Sequence, residues 1–547
     1  MFIALAQLNP VVGDVAGNTR KLVEMWRDAA QRGADLLITS ELFISGYPPE
    51  DFALKPSFLK TVNDAILGLA RTTASGPAIL VGAPWLENGK LYNAALLLDG
   101  GDIVGRALKR DLPNYSSFDE KRVYTPAPLQ DPLEWRGHRL GVMICEDMWC
   151  SEASSHLADH GAQILVVLNG SPFEIGKQKQ RQVLARERVQ ETGLPIVYVN
   201  QFGGQDELVF EGASFVMDAS GSLCAQAKIW QEELLLTQWD MIDERLQPQA
   251  APFAPFPVDE ESAYGALITG LRDYVTKNGF GRILLGLSGG IDSALVAALA
   301  VDAFGPSNVR AVMLPSVYTS KESLKDAAAV AEALGCRLDT ISIAPTVQAV
   351  EQTLAEQFIG CLPDVTEENI QARVRGLLLM ALSNKSGAML LATGNKSEMA
   401  TGYATLYGDM CGGFAPLKDV YKTVVYRLAR WRNLAKPSGA LGPEGVLFSD
   451  NILSKAPTAE LRPDQKDQDS LPPYEELDKI LEALIEDDLG VATTVLRGHE
   501  AKIVQRVLLM LDRAEYKRRQ APPGPKITRR HLSRDRRYPI TNRYVEN

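Results

Sequence analysis

No apolar run in the 547 residues approaches the length that crossing a bilayer requires, which argues against an integral membrane protein. The six cysteines, at 145, 150, 224, 336, 361 and 411, never form a C-x-x-C pair, so neither a zinc ribbon nor a disulfide framework is suggested. Basic residues are in the minority, 57 against 68 acidic ones. The net charge of −11 argues against a general nucleic-acid binder. The opening Met1-Phe-Ile-Ala-Leu-Ala lacks the basic start and long apolar core of a signal peptide; it reads as a β-strand, and a cytoplasmic protein is expected. No internal repeat is apparent. What is present, 46% hydrophobic and 23% charged residues, is the composition of a soluble globular chain, too long for one ordinary core.

Two α/β domains are therefore expected. Residues 1–245 alternate short apolar runs (34–39, 78–82, 140–145, 164–168 and 196–200) with helical patterns. The proline-rich stretch 246–262 breaks both periodicities and reads as a linker. From 263 to 547 a second α/β pattern follows, with a helix at 264–278 and strands at 283–287, 309–314, 338–343 and 388–393. The polar, proline-bearing stretch 455–473 suggests a mobile excursion.

The second pattern contains Gly286-Leu-Ser-Gly-Gly-Ile-Asp-Ser293 between a strand and a helix. Glycines let backbone approach a ligand closely, and the helix start offers free N–H groups and a positive dipole end. Ser288 and Ser293 add hydroxyl donors. The loop lacks the lysine of a G-x-x-x-x-G-K-[ST] motif, so it is no Walker site. Its S-G-G-x-D-S pattern resembles the pyrophosphate loop of the ATP pyrophosphatases, which implies cleavage of ATP to an adenylate and pyrophosphate.

In the first half, Cys145 ends an apolar strand, where an elbow can present sulfur to a pocket beside a backbone N–H. A buried structural cysteine is the commoner fate of a lone one. Its company decides: Glu41 follows the strand near 34–39, and Lys109 opens Lys-Arg-Asp-Leu-Pro. The set resembles the Glu–Lys–Cys triad of the nitrilase superfamily. The resemblance implies an α-β-β-α sandwich, with Glu41 accepting the thiol proton, Cys145 attacking an amide carbon and Lys109 stabilising the oxyanion. A nearby cation should also lower the thiol pKa. Glu120 is a supporting acid by the same resemblance, and Tyr115, Ser171 and Lys177 are glutamine contacts. His156 and His160, four apart, could share a helix face toward a metal. With no H-E-x-x-H glutamate and no third ligand in the pattern, they read as surface histidines.

Three further segments of the second half, around Glu367–Arg375, Leu390–Glu398 and Glu515–Thr528, are similar in order and residue type to the NAD synthetases. That implies a doubly wound parallel sheet of the adenine nucleotide α-hydrolase kind. Gly286, Leu287, Ser288, Gly289, Gly290, Ile291, Asp292, Ser293 and Thr393 would contact ATP, and Asn369, Glu398 and Lys517 deamido-NAD. Asp292 and Glu398 would neighbour Mg2+. The whole chain thus resembles the glutamine-dependent NAD synthetases. It would join deamido-NAD, L-glutamine and ATP into NAD, glutamate, AMP and pyrophosphate, and would form a homo-oligomer through its second domain. A fused glutaminase makes chemical sense, because free ammonia is lost as ammonium near pH 7. Two alternatives stand beside this reading: another adenylating enzyme that shares the loop, and a nitrilase half that serves only as an interaction module.

Overall fold

The computed structural model describes residues 1–242, 245–251, 253–254 and 256–544. The chain divides into two compact units, Met1–Pro257 and Val258–Asn547. The stretch 246–262 contains that division. It also holds most of the short strand Arg245–Pro248 and the start of the helix Asp259–Lys277. Pro248 is tolerated because that strand is the edge of its sheet, where a missing N–H breaks no ladder.

Unit 1 is a four-layer sandwich, as the nitrilase resemblance implies. One sheet runs, edge to edge, Arg245–Pro248, Glu233–Ile242, Phe2–Gln7, Leu36–Ile38, Ala78–Glu87, Lys90–Asp99 and Asp102–Leu108. The other runs Leu223–Gln226, Phe215–Met217, Ile196–Asn200, Ile164–Asn169, His138–Ile144 and Leu133–Trp135. Side-chain alternation builds the layers. Ile3, Leu5 and Leu80 face Ile144, Val166 and Val199 in the central core. The alternate residues of the first sheet, such as Ala4, Leu37 and Ile79, meet Leu22 and Ile66 of the helices Val15–Gln31 and Pro56–Thr72. Those of the second, Met143, Leu165 and Tyr198, meet Leu157 and Val189 of Ser151–Asp159 and Lys177–Thr192. Strands buried on both faces explain the near-continuous apolar runs of the sequence.

Unit 2 holds a four-stranded, wholly parallel sheet in the order Arg337–Thr340, Val309–Met313, Ile283–Gly286, Met389–Leu391. The helix Val365–Ser386 covers the face bearing Leu284, Val312 and Leu390. The chain steps outward from Ile283–Gly286 twice and then returns to its other side. The order therefore reverses between Ile283–Gly286 and Met389–Leu391, and a crevice opens at the carboxyl ends of those two strands. No helix among the described residues is long and apolar enough to cross a membrane.

Candidate active sites

In unit 1, Glu41, Lys109 and Cys145 are all buried. Glu41 follows the strand Leu36–Ile38, Lys109 follows Asp102–Leu108, and Cys145 follows His138–Ile144, opening the short 3-10 turn Cys145–Met148. Each catalytic candidate thus sits just past the end of a core strand, where rigid backbone holds it. The Lys109 ammonium lies 2.7 Å from Glu41 Oε1 and 2.8 Å from Glu120 Oε2. Glu41 is fixed further by Asn93 Nδ2, which donates to Oε1 at 2.7 Å, and by the Gly170 N–H, which donates to Oε2 at 3.0 Å. Tyr47 Oη donates to Glu120 at 3.2 Å. Cys145 has φ of +47°, in the left-handed region that non-glycine residues seldom adopt. Such a conformation costs about 1–3 kcal/mol and clusters at functional turns.

The electrostatics correct one expectation. Burial pushes the Cys145 thiol well above its ordinary range, and the Glu41 carboxylate pushes the same way; Lys109 opposes them and loses. Lys109 does draw the thiol down, as expected of a nearby cation, but burial and Glu41 together outweigh it. Burial opposes the Lys109 charge, but Glu120 and Glu41 outweigh it and hold the ammonium well above its usual range. Glu120 is raised to about 7, by burial first, with Lys109 resisting and Glu41 adding to the rise. Asp147 was not foreseen. Its Oδ1 accepts from the N–H groups of Arg110, at 3.0 Å, and Asp111, at 2.8 Å, while Oδ2 accepts from Ile144 N–H at 3.0 Å. One carboxylate thereby ties the lysine's loop to the cysteine's turn. Asn93, a lone amide inside the strand Lys90–Asp99, carried a signal in the sequence: a polar residue in an apolar run needs a partner.

Tyr115 and Lys177 gather around Glu146, the residue after the cysteine. Tyr115 Oη lies 3.0 Å from both of its carboxylate oxygens, and the Lys177 charge counters the burial that raises its pKa. Ser171 is buried behind them. Its N–H donates to Asn200 Oδ1 at 3.1 Å, and its Oγ accepts from Arg181 Nε at 3.1 Å.

In unit 2, residues Ser288 to Ser293, Thr393 and Glu398 line one cavity of about 210 Å³ in the switch-point crevice. Gly289 has φ of +84°, and a Cβ there would fall 2.3 Å from the Ser323 carbonyl oxygen, so both conformation and space demand glycine. Ser293 Oγ lies 3.0 Å from Ser288 Oγ and accepts from Ser288 N–H at 3.1 Å, which locks the loop. Gly286 and Leu287 line an adjoining cavity of about 240 Å³ with Val312 and Leu379, an apolar slot that shares Ser288 and Thr393.

Lys422 reaches into the crevice and pairs with Asp292 Oδ2, and its ammonium lies 3.4 Å from Glu398 Oε1. Burial raises the Glu398 carboxyl to about 8 against the pull of Lys422, while Asp292 adds to the rise. The loop has no lysine of its own, but one 130 positions downstream of Asp292 thus sits in the crevice. The stretch 455–473, read as mobile from its prolines, instead walls the cavity: Lys455 Nζ donates to Ser323 Oγ at 2.7 Å, and Glu460 accepts from Ser320 Oγ at 2.8 Å. Its one regular element is the short 3-10 turn Asp467–Asp469, and side-chain anchors hold the rest. Asn369 and Lys517 meet at the turn 402–405. Thr405 Oγ1 donates to Asn369 Oδ1 at 2.9 Å, and Lys517 Nζ donates to the Gly402 and Ala404 carbonyls at 2.8 Å.

Residues 2–248 match the carbon-nitrogen hydrolase family and residues 263–521 the NAD synthase family. A glutamine-dependent NAD(+) synthetase of Rhodobacter capsulatus is 47% identical, over 99% of this chain and 98% of its own. One from Thermotoga maritima is 44% identical, over 100% and 99%. The solved glutamine-dependent NAD+ synthetase of Acinetobacter baumannii, in complex with ADP, is 42% identical with a TM-score of 0.79, over 100% of this chain and 99% of that one.

Proposed function

The chain belongs to the glutamine-dependent NAD(+) synthetases, and from that membership we propose a role for each residue of the two sites. The activity is a ligase reaction: deamido-NAD is adenylated by ATP and then amidated with ammonia drawn from L-glutamine, leaving glutamate, AMP and pyrophosphate.

In unit 1 the observation that carries the reading is the Lys109 ammonium, buried between Glu41 and Glu120 and acting on Cys145. With the thiol raised by burial and by Glu41, attack on the glutamine carboxamide would be accompanied by transfer of the Sγ proton to Glu41. The oxyanion that forms is stabilised by Lys109 and a backbone N–H of the Cys145 turn. Collapse gives a thioester and ammonia, the departing nitrogen taking its proton from Glu41. Water, deprotonated by the same carboxylate, then releases glutamate. Tyr115, Ser171 and Lys177 would hold the amino-acid end of glutamine. Glu146, an anion among them, suits its ammonium group.

In unit 2 a carboxylate resists amidation because its carbon is weakly electrophilic and oxide is a poor leaving group. Attack of the deamido-NAD carboxylate on the α-phosphorus of ATP makes an acyl-adenylate and expels pyrophosphate. Ammonia then displaces AMP. The Ser288–Ser293 loop and Lys422 would take the departing pyrophosphate, and the apolar slot beside Leu287 would take the adenine. Glu398 would contact deamido-NAD together with Asn369 and Lys517. Asp292 and Glu398 offer oxygen donors only, the kind Mg2+ takes from one or two carboxylates alongside phosphate oxygens, so the residues would fit that ion once Lys422, which pairs with both, turned to the phosphates. Bound there, it would supply counter-charge to the phosphates. A cytoplasmic homo-oligomer completes the proposal.

The test is product analysis with deamido-NAD, glutamine and Mg-ATP in the presence of Asp292→Ala or the unaltered chain. AMP and pyrophosphate in step with NAD are expected from the latter. ADP and phosphate would mean γ-phosphoryl transfer and would overturn the roles given to the loop.

A further inference from the structure

The two histidines that read as surface residues acquire a third neighbour in the fold. His156 lies in the last turn of the helix Ser151–Asp159 and His160 caps its end; Asp131 comes from the stretch leading into the strand Leu133–Trp135. His156 Nε2 is 3.3 Å from Asp131 Oδ1, and His160 Nε2 is 3.9 Å from the same oxygen. One ligand atom from each residue lies within 4.8 Å of the other two. From this geometry we propose that Asp131, His156 and His160 form a binding site for a divalent transition ion of the Zn2+ class, separate from both active sites.

Two observations support it. First, a tetrahedral ion with bonds of about 2.0–2.1 Å holds its ligand atoms roughly 3.4 Å apart, so the His156–Asp131 spacing is already right and His160 need close on Asp131 by only about half an ångström. Second, His160 Nδ1 lies 2.8 Å from the His156 carbonyl and donates to it, which leaves Nε2 as the unprotonated nitrogen able to take a metal. A backbone partner on the far ring nitrogen is how metal-binding imidazoles are oriented. The rings now stack, with centroids 3.9 Å apart and planes 27° from parallel, so ligation turns one imidazole out of the stack. Two nitrogens and one oxygen favour Zn2+, Cu2+ or Ni2+ over Mg2+. Partial exposure leaves the fourth position to water.

The site would act as a clamp. Gln130, next to Asp131, accepts from Leu108 N–H at 3.2 Å and donates to Leu108 O at 2.7 Å, one residue before Lys109. The helix carrying the histidines begins just after the turn that carries Cys145. An ion bridging the two would fasten the lysine's strand to the nucleophile's helix.

The experiment uses the full-length chain, stripped with a chelator and titrated with Co2+ in excess Mg2+, which saturates oxygen-only sites. One equivalent should give the intense visible bands of four-coordinate Co2+ without a thiolate charge-transfer band, and Zn2+ should erase them. His160→Gln and Asp131→Asn should each weaken binding at least roughly a hundredfold, since loss even of an outer partner costs 10–100-fold. Without metal both variants should melt with the unaltered chain, which shows that they fold. Zn2+ should raise the melting temperature of the unaltered chain alone. A thiolate band, bands that survive in the His156→Gln/His160→Gln double variant, or no saturable binding would each overturn the proposal.

Discussion

Glu120 is the residue whose charge state matters most near neutral pH, because its carboxyl is raised to about 7 by burial and by Glu41 against the pull of Lys109. When ionised, it faces the Lys109 ammonium with a second carboxylate and holds that cation in place for the oxyanion. Glutamate release from glutamine should therefore fall as pH drops through about 7, and Glu120→Gln should shift that acid limb downward while lowering the plateau. A profile unchanged in the variant would remove Glu120 from the charge cluster. The same shift opposes stability in the other direction. A carboxyl whose folded pKa exceeds its unfolded one favours the fold below the unfolded value and loses that contribution as pH rises to about 7. At this scale the sequence is legible where a residue type is rare in its setting, as for Cys145 ending an apolar strand. It is silent on how charges share a pocket: Lys109 looked free to activate the thiol, and only the fold shows it divided between two acids.

At the scale of elements, the loop Gly286–Ser293 and the stretch from Lys455 to Glu460 close on each other through Ser323. Gly289→Ala must displace the Ser323 carbonyl or leave its own positive φ. Synthesis should drop by roughly 10²–10³, the usual loss when a preorganised donor is misplaced, with glutamine and ammonia alike. Retained turnover with either nitrogen source would show that the loop does not need its shape. Lys455→Ala should leave the loop intact but raise the ATP requirement, at least about tenfold in KM and so about 1.4 kcal/mol, because a cation beside the phosphate cradle is gone. The sequence reveals this loop through local glycine chemistry but not its wall. Residues 455–473 have no periodicity, and their partners, Ser320, Ser323 and Gln371, lie roughly a hundred positions away.

For the whole molecule, two units with separate cores carry two chemistries, and the test is to silence one. Cys145→Ala removes the proposed nucleophile for glutamine and touches nothing in the crevice of unit 2. NAD synthesis from glutamine should vanish, while synthesis from added ammonia should persist near its original rate. Lys109→Ala and Glu41→Ala should act alike, without additivity, since the three work as a unit. A Cys145→Ala chain that still uses glutamine would mean the nitrogen comes from elsewhere. Apolar runs of strand length mark central strands of both sheets in unit 1 and the strands of the parallel sheet; Lys90–Asp99 and Glu233–Ile242 go unread, and the two-sheet sandwich is implied only by the family resemblance. The reversal of strand order that makes the crevice is not visible, because hydrophobic pattern marks which strands are buried and says nothing of which ones pair.

The Asp147 carboxylate has a consequence that reaches past catalysis. It grips the backbone on either side of the cleft at once, just beyond Lys109 and just before Cys145. A displacement of either segment is therefore resisted by the other, which limits change in the spacing of Cys145 and Lys109. An instrument maker would recognise the arrangement: the quantity that matters is a difference, and the mount is braced across it.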